Sequence, residues 1–277
     1  MKLTIFLKLG GSLITDKTGV EQVRPAILAR LAQEIRRARE ANPQMRLLLG
    51  HGSGSFGHVH GAQHGTRQGV KTAEQWVGFT QVSGAASRLN ELVMAALLEA
   101  GIPALSLQPS ASALCEDGQI VELAARPVNM ALDAGLLPVV FGDVAFDTVR
   151  GGTIISTEEV MMALAGTLRP SWLLLAGETP GVLNLDGQVV PLITESNLAD
   201  IAPALGGSRG TDVTGGMASK VSSMLDLVAA QPQMQIRIFS GLEADQLQQT
   251  LLTPASASGT IIRSTNNQVG AGQRGGA

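Results

Sequence analysis

The 277-residue sequence has little of several residue types, and each shortage excludes a class of protein. Cys115 is the only cysteine, which excludes an internal disulfide and is typical of a reducing compartment. Lysine and arginine form no run and the net charge is −3, which disfavours a nucleic-acid surface. No apolar run reaches the length of a membrane span, and the start, MKLTIFLKLGGSL, is charged too early for a signal peptide. We therefore predict a cytoplasmic protein with neither membrane nor nucleic-acid partners.

Apolar residues are plentiful, at 44% of the chain, and their pattern predicts the fold class. Short leucine-rich and β-branched runs, such as KLTIFLKL, MRLLLG and SWLLLAG, predict strands, whereas longer amphipathic stretches such as PAILARLAQEIRRAREA predict helices. This alternation predicts an α/β fold: a three-layer αβα sandwich around a mostly parallel open sheet. We assign residues 1–166 to an N-terminal lobe and 167–263 to a C-terminal lobe that shares the sheet. The glycine-rich residues 264–277 are predicted to form a flexible tail.

The first motif that suggests chemistry is KLGGSLITDK, residues 8 to 17. Paired glycines directly after a strand expose backbone N–H groups to which phosphate oxygens can bind. Lys8 puts a charge inside an apolar strand, and such a charge requires an anionic partner. A nucleotide phosphate is one candidate partner. The alternative is a strand-end lysine that reaches water beside an ordinary turn.

The second motif, HGSGSFGHVHG, matches the dinucleotide fingerprint G-x-G-x-x-G in form. That interpretation needs an acidic residue at the end of the following strand, which this sequence lacks. A metal site built from the four histidines would have no carboxylate or thiolate ligand nearby. A phosphate cradle uses all the glycines and places His58 at its mouth. We expect His51 to be packed at a strand end, and His60 and His64 to be solvated loop residues.

Two further stretches contain candidate polar residues. In GTDVTGGMASK, residues 210 to 220, a glycine pair precedes a helix that carries Lys220. The exposed N–H groups at the start of this helix, together with the lysine, can bind an anion. Asp212 either orients a lysine or caps the turn. In the stretch ISTEEV, capping of the helix is expected for at least one of Glu158 and Glu159. The sequence has several glycine turns accompanied by lysines, and it shows no pair of a nucleophile with a base. This combination favours phosphoryl transfer, which depends on positioning the two substrates and on stabilising the charge of the transferred group.

Taken in order, the motifs KLGGSLITDK, HGSGSFGH, PVVFGDV and DVTGGMASK resemble those of the isopentenyl phosphate kinase family, within the amino acid kinase superfamily. The resemblance implies ATP-dependent phosphorylation of isopentenyl phosphate to isopentenyl diphosphate in isoprenoid biosynthesis. It also implies Mg²⁺ bound with ATP, and a homodimer. The alternatives are a kinase of another small phosphate or phosphonate, such as fosfomycin, and a non-catalytic nucleotide sensor of the same fold.

The resemblance also implies roles for individual residues. The catalytic residues would be Lys8, Lys17, His58 and Lys220. The ATP-binding residues would be Lys8, Gly10, Gly11, Ser12, Gly54, Asp212, Gly216 and Lys220. The acceptor-binding residues would be Ser53, Gly57, His58, Thr157, Trp76, Phe79 and Val82. The last three would line an apolar slot for the prenyl tail, although such residues at helical spacing are also typical of a core. No residue is assigned to a metal.

Overall fold

The strands in the described part of the chain form two sheets. The structure, a computed structural model, describes residues 3–16, 18–205 and 216–267, with only the backbone at positions 58–60, 62, 63, 216 and 217. The strands in this part of the chain are β1 (Thr4–Leu9), β2 (Arg46–His51), β3 (Ala104–Ser106), β4 (Leu114–Glu116), β5 (Gln119–Glu122), β6 (Leu137–Phe141), β7 (Asp143–Asp147), β8 (Gly151–Ile155), β9 (Trp172–Gly177), β10 (Leu192–Ile193), β11 (Gln235–Ser240) and β12 (Thr260–Arg263).

Helices occupy most of the connections between the strands. They are α1 (Gly11–Ile14), α2 (Pro25–Ala41), α3 (Gly54–His64), α4 (Ala73–Glu99), α5 (Ala125–Asp133), α6 (Thr157–Leu168), α7 (Leu198–Leu205), α8 (Gly216–Ala230) and α9 (Gln246–Leu252). The long helix α4 begins directly after Thr72, which forms a reciprocal capping box with Gln75 at the first turn. Among the described helices, none combines the length and apolar character of a membrane span.

The large sheet has eight strands in the order β10-β12-β11-β9-β1-β2-β6-β3. The six strands from β11 to β3 are parallel to one another, and β12 pairs antiparallel with β11. The predicted mostly parallel sheet is therefore confirmed. β1 lies at the centre and pairs with both β2 and β9, so the sheet is continuous across the predicted lobe boundary.

Alternate residues of the central strands supply the core on the two faces of this sheet. Ile5 and Leu7 of β1 pack in one cluster with Leu31 of α2 and Leu89 of α4. Phe6 packs in a second cluster, with residues that include Val160 of α6 and Val221 of α8. All six residues of β1 are buried, as expected for a strand covered on both faces. The three-layer arrangement agrees with the predicted sandwich.

A smaller sheet, in the order β5-β4-β7-β8, is an addition to the predicted fold. Its strands β4 and β5, which are only three and four residues long, are not predicted by the sequence pattern. Of the predicted tail, Thr265 is held by Glu195, whose Oε2 accepts a 2.6 Å hydrogen bond from the threonine hydroxyl. Residues 268–277 lie outside the described residues.

Candidate functional site

The two glycine turns meet at the carboxyl ends of the neighbouring strands β1 and β2. A Cβ atom added to Gly11 would lie 2.4 Å from the backbone nitrogen of Gly54, and one added to Gly52 would lie 2.8 Å from the nitrogen of Gly11. The two turns therefore pack main chain against main chain, with no room for a side chain between them.

The first turn of α3 is tied to the KLGGSLITDK motif through Thr15. The Thr15 hydroxyl donates to the carbonyl of Gly11 at 2.8 Å and accepts from the backbone N–H of Ser55 at 3.0 Å. Gly54 has a φ of +48°, and a Cβ there would lie 2.0 Å from Thr15 Oγ1, so only glycine fits this position. As a result, the positive N-terminal end of α3 is fixed at the edge of the sheet.

The segment after Gly54 is a helix, not the loop that the sequence predicts. α3 extends over Gly54–His64, and Ser53 precedes it. Its last residue, His64, packs against α4, where a Cβ on Gly78 would lie 2.4 Å from His64 Cγ. The Nε2 atom of His64 is buried, so the prediction of a solvated His64 is wrong. Glycine and histidine are poor helix formers, and packing against α4 overrides this local preference.

Two of the predicted phosphate-binding glycines already use their N–H groups within the protein. Gly10 donates to the carbonyl of Ala176 at 2.8 Å, and Gly57 donates to the carbonyl of Ser53 at 3.3 Å. Because they have no side chain, these glycines allow neighbouring main-chain segments to lie close together at the site. A Cβ on Gly57 would lie 2.3 Å from Ser53 Oγ, so the two residues occupy adjoining space at the start of α3.

Lys8 and Lys220 converge on one carboxylate, that of Glu158. Lys8 donates a hydrogen bond to Glu158 Oε1, and Lys220 Nζ lies 3.6 Å from the same oxygen. Lys8 is buried near the end of β1, with 8% of its surface exposed, and Lys220 is carried by the second turn of α8. The anionic partner that Lys8 requires is therefore a residue of the protein itself. Glu158 brings two predicted catalytic lysines, from distant parts of the chain, to one point.

Glu158 and its neighbour Glu159 have different functions. Burial alone would raise the pKa of Glu158, but the charges of Lys8 and Lys220 lower it to about 2. Glu159 completes a capping box with Ser156, whose backbone N–H donates to Glu159 Oε2 at 2.6 Å. The expectation that one glutamate caps the helix is confirmed for Glu159. Glu158 was missed as a site residue, because the sequence showed only an acidic residue in the first turn of α6 and, far away in the chain, a Lys8 that needs an anionic partner.

Thr157 links the start of α6 to the end of β2. Its buried hydroxyl donates to the carbonyl of His51 at 2.6 Å. His51 itself stacks on Phe141 at a centroid distance of 5.4 Å, and its Nε2 lies 3.3 Å from Asn90 Oδ1. The prediction of a packed, strand-end His51 is confirmed. A Cβ on Gly142 would lie 3.2 Å from the Thr157 nitrogen, which places the end of β6 beside the same edge.

Burial lowers the pKa of His51 to about 4, against contributions from Asn90 and Gly52 that raise it. In the unfolded chain this imidazole titrates near 6.5. Between these two values the unfolded state binds more protons, so the free energy of unfolding must fall as the pH falls, by up to about 1.4 kcal/mol per pH unit. We expect this slope in urea unfolding followed from about pH 7 to about pH 5. In His51→Gln the free energy of unfolding should depend less steeply on pH over the same range. An identical slope in the variant would contradict the assignment of this pH dependence to His51.

An apolar cavity of about 330 Å³ lies between α4 and β7. Its wall includes Phe79 and Ser83 of α4 and Val144 of β7. Of the three residues predicted to line a prenyl slot, Phe79 lines this cavity. Trp76 packs edge-on against Phe79 with a centroid distance of 5.1 Å, and Val82 is buried in the adjoining cluster. Phe79 belongs to the same cluster as Val82, so contact of Trp76 and Val82 with a prenyl tail stays a prediction.

Several predicted site residues can be placed only in part. Lys17 and Asp212 lie outside the described residues, and for His58 the backbone alone is described, in the second turn of α3. Gly216 is the first residue of α8, and Ser12 lies in the short helix α1. Within the described part of the chain, no group of three or more histidine, cysteine, aspartate or glutamate side chains is arranged to hold a metal ion.

Comparison with known proteins adds independent information. The model of the amino acid kinase family matches residues 4–240. An isopentenyl phosphate kinase of Haloferax volcanii is 42% identical over 228 residues, which cover 81% of this chain and 88% of that protein. An isopentenyl phosphate kinase of Methanocaldococcus jannaschii is 32% identical over 256 residues, which cover 90% of this chain and 95% of the relative.

The fold is also similar to solved structures. An X-ray structure of an isopentenyl phosphate kinase superposes with a TM-score of 0.78 at 28% identity, over 94% of this chain and 99% of the other. A product complex of the Thermoplasma acidophilum isopentenyl phosphate kinase gives a TM-score of 0.71 at 21% identity, which supports the fold alone. From the match to the family model and from these relatives, the chain belongs to the amino acid kinase family.

Proposed function

We propose that the chain is an isopentenyl phosphate kinase that transfers the γ-phosphoryl group of ATP to isopentenyl phosphate. An oxygen of the acceptor phosphate bonds to the γ-phosphorus, the bond from that phosphorus to the β–γ bridging oxygen breaks, and ADP leaves. One observation carries the proposal: two glycine turns pack main chain against main chain beside a carboxylate that gathers two lysines. The 42% identity to the Haloferax volcanii isopentenyl phosphate kinase supports the choice of acceptor.

The reaction brings two polyanions into contact, and the site contains the groups that this requires. Phosphoryl transfer depends on positioning and on the stabilisation of charge on the transferred group. Lys8 and Lys220 supply positive charge, and Glu158 holds their side chains together before ATP arrives. Mg²⁺ would enter with ATP and be held by phosphate oxygens and water, since Glu158 is already paired with the lysines.

The individual roles extend this arrangement to both substrates. We assign ATP binding to Lys8, Gly10, Gly11, Ser12, Gly54, Asp212, Gly216 and Lys220. We assign contact with the transferred phosphoryl group to Lys17. We assign binding of the acceptor phosphate to Ser53, Gly57, His58 and Thr157. The prenyl tail would lie in the cavity that Phe79 lines, where burial of each methylene contributes about 0.8 kcal/mol. The homodimer, the cytoplasmic location and the lobe boundary at residues 166–167 stay predictions of the sequence.

The proposal is tested by a panel of acceptors with ADP release as the readout. We expect isopentenyl phosphate to give the highest kcat/KM among isopentenyl phosphate, dimethylallyl phosphate, geranyl phosphate and fosfomycin. His58→Ala should raise the KM of the acceptor and lower kcat, with ATP binding nearly unchanged, because we assign the imidazole to the acceptor phosphate and not to ATP. A preference for fosfomycin would reject the prenyl acceptor. Binding of ATP without release of ADP in the presence of any acceptor would favour the sensor.

A further inference from the structure

Asp143, the first residue of β7, is a buried carboxylate that the proposed reaction does not use. It is 1% exposed. Its Oδ1 accepts hydrogen bonds from the Ser83 hydroxyl at 3.0 Å and from the Val144 N–H at 2.8 Å. Its Oδ2 accepts from Gln108 Nε2 at 3.0 Å and from the Ser110 N–H at 3.4 Å. One carboxylate therefore ties together α4, β7 and the segment 108–110.

The segment tied by Asp143 separates two cavities. Ser110 lines the cavity of about 330 Å³ that we assign to the prenyl tail. Its neighbours Pro109 and Ala111, together with Gln108, line a second cavity of about 220 Å³, which continues towards α5 and α6. Residues 109–111 form a single 3₁₀ turn, so the wall between the cavities is one turn thick. We name this wall, residues 108–112, the partition.

The partition depends on Asp143 for its position. A single 3₁₀ turn has few backbone hydrogen bonds of its own, and both of the bonds that Asp143 Oδ2 accepts come from residues of this segment. The other oxygen is bonded to Ser83, which itself lines the first cavity. The same carboxylate thus fixes the wall of the slot and the helix that faces it.

We propose that Asp143 is a positioning residue that sets the length of acceptor the enzyme admits, by holding the partition closed. This inference rests on the proposed function. With the partition in place, a five-carbon tail fills the first cavity. When the partition is released, a ten-carbon tail gains access to the apolar second cavity, whose wall includes Val140, Val160 and Leu164.

The test measures kcat/KM for isopentenyl phosphate and geranyl phosphate in Gln108→Ala and Asp143→Asn. Gln108 is exposed, so its truncation removes one tie without disturbing the core. We expect the geranyl-to-isopentenyl ratio to rise about tenfold or more in both variants, since single methylenes in apolar pockets already change selectivity by roughly 10-fold to 200-fold. The KM for ATP should not change. The wild-type rate with isopentenyl phosphate tests the proposed function separately.

Asp147→Asn is the matched control. Asp147 is the last residue of the same strand, is 4% exposed, and accepts backbone N–H groups such as those of Gly118 and Arg150. It holds the hairpin and lines neither cavity, so its replacement should leave the acceptor ratio unchanged. A ratio that moves less than about twofold in Gln108→Ala, or that moves equally in Asp147→Asn, would overturn the inference. If Asp143→Asn does not fold, Gln108→Ala decides alone. A wild-type enzyme inactive on isopentenyl phosphate would reject both proposals.

Discussion

Replacing Gly11 with alanine is expected to reduce kcat/KM at least 100-fold and to lower the melting temperature. The added methyl group would lie 2.4 Å from the backbone nitrogen of Gly54 and 2.6 Å from its Cα. Neither turn can yield by rotating a side chain, because both contacts are main chain. The turns must move apart, and overpacking of this kind costs about 1–3 kcal/mol or more. The measurement is steady-state kinetics with both substrates, together with thermal unfolding.

Gly166→Ala separates this effect from the general cost of removing a glycine. Gly166 is an exposed residue of α6, and a Cβ there would meet nothing within 4 Å. Alanine is favoured over glycine in a helix, so this variant should gain about 0.5–1 kcal/mol of stability and keep its activity. Equal activity in the Gly11 and Gly166 variants would show that the contact between the turns is unimportant for catalysis.

Replacing Glu158 with glutamine should lower kcat by about 100-fold to 1,000-fold, the range found when one preorganised electrostatic contact is removed. Glutamine keeps the shape of the side chain but removes the negative charge between Lys8 and Lys220. Those two lysines, which are held together by the carboxylate, would then repel each other at a point where the Lys8 side chain is largely buried. We expect the ATP-binding affinity to change less than kcat, because the phosphates themselves attract both lysines.

Glu159→Gln provides the control one residue along the chain. Glutamine is compatible with a capping box at this position, so the start of α6 should be preserved. The variant loses only the ion pair with Arg67, whose side chain is 44% exposed, and exposed pairs contribute little. Its kcat should stay within about threefold of the wild-type value. A similar loss of rate in both variants would mean that Glu158 matters only through the helix terminus.

Short-range sequence patterns predicted the features that depend on neighbouring residues, such as the central strands and the start of α6. The runs of β1, β2 and β9 are mostly apolar and almost entirely buried, as is typical of strands covered on both faces. The glycines of both turns marked positions where side chains are excluded, and the packing of Gly11 on Gly54 gives the physical reason. The N-terminus of α6 was visible in the series Ser156 to Glu159, because its capping box is contained within four residues.

What the sequence did not predict depends on contacts between distant residues. The ion pair of Lys8 with Glu158 joins positions 150 residues apart, and no local pattern reports such a pair. The sequence therefore offered a nucleotide phosphate as one candidate partner of Lys8, and it did not indicate the carboxylate of Glu158 that pairs with it. The helix α3 was missed for a related reason, since its glycines and histidines are poor helix formers and packing on α4 stabilises it. Short strands such as β4 give too few residues for a period to be recognised.

The position of β1 between β2 and β9 has a consequence for how this protein can vary. Every residue of β1 is buried, and it hydrogen-bonds on one side to a strand from the first half of the chain and on the other side to a strand from the second. Neither half is a self-contained module, because separating them would expose an apolar edge at the centre of the molecule. Insertions and fusions are therefore expected to be tolerated only in surface loops. Exchange of one half of the chain for that of a relative would have to preserve the pairing of β1 with β9.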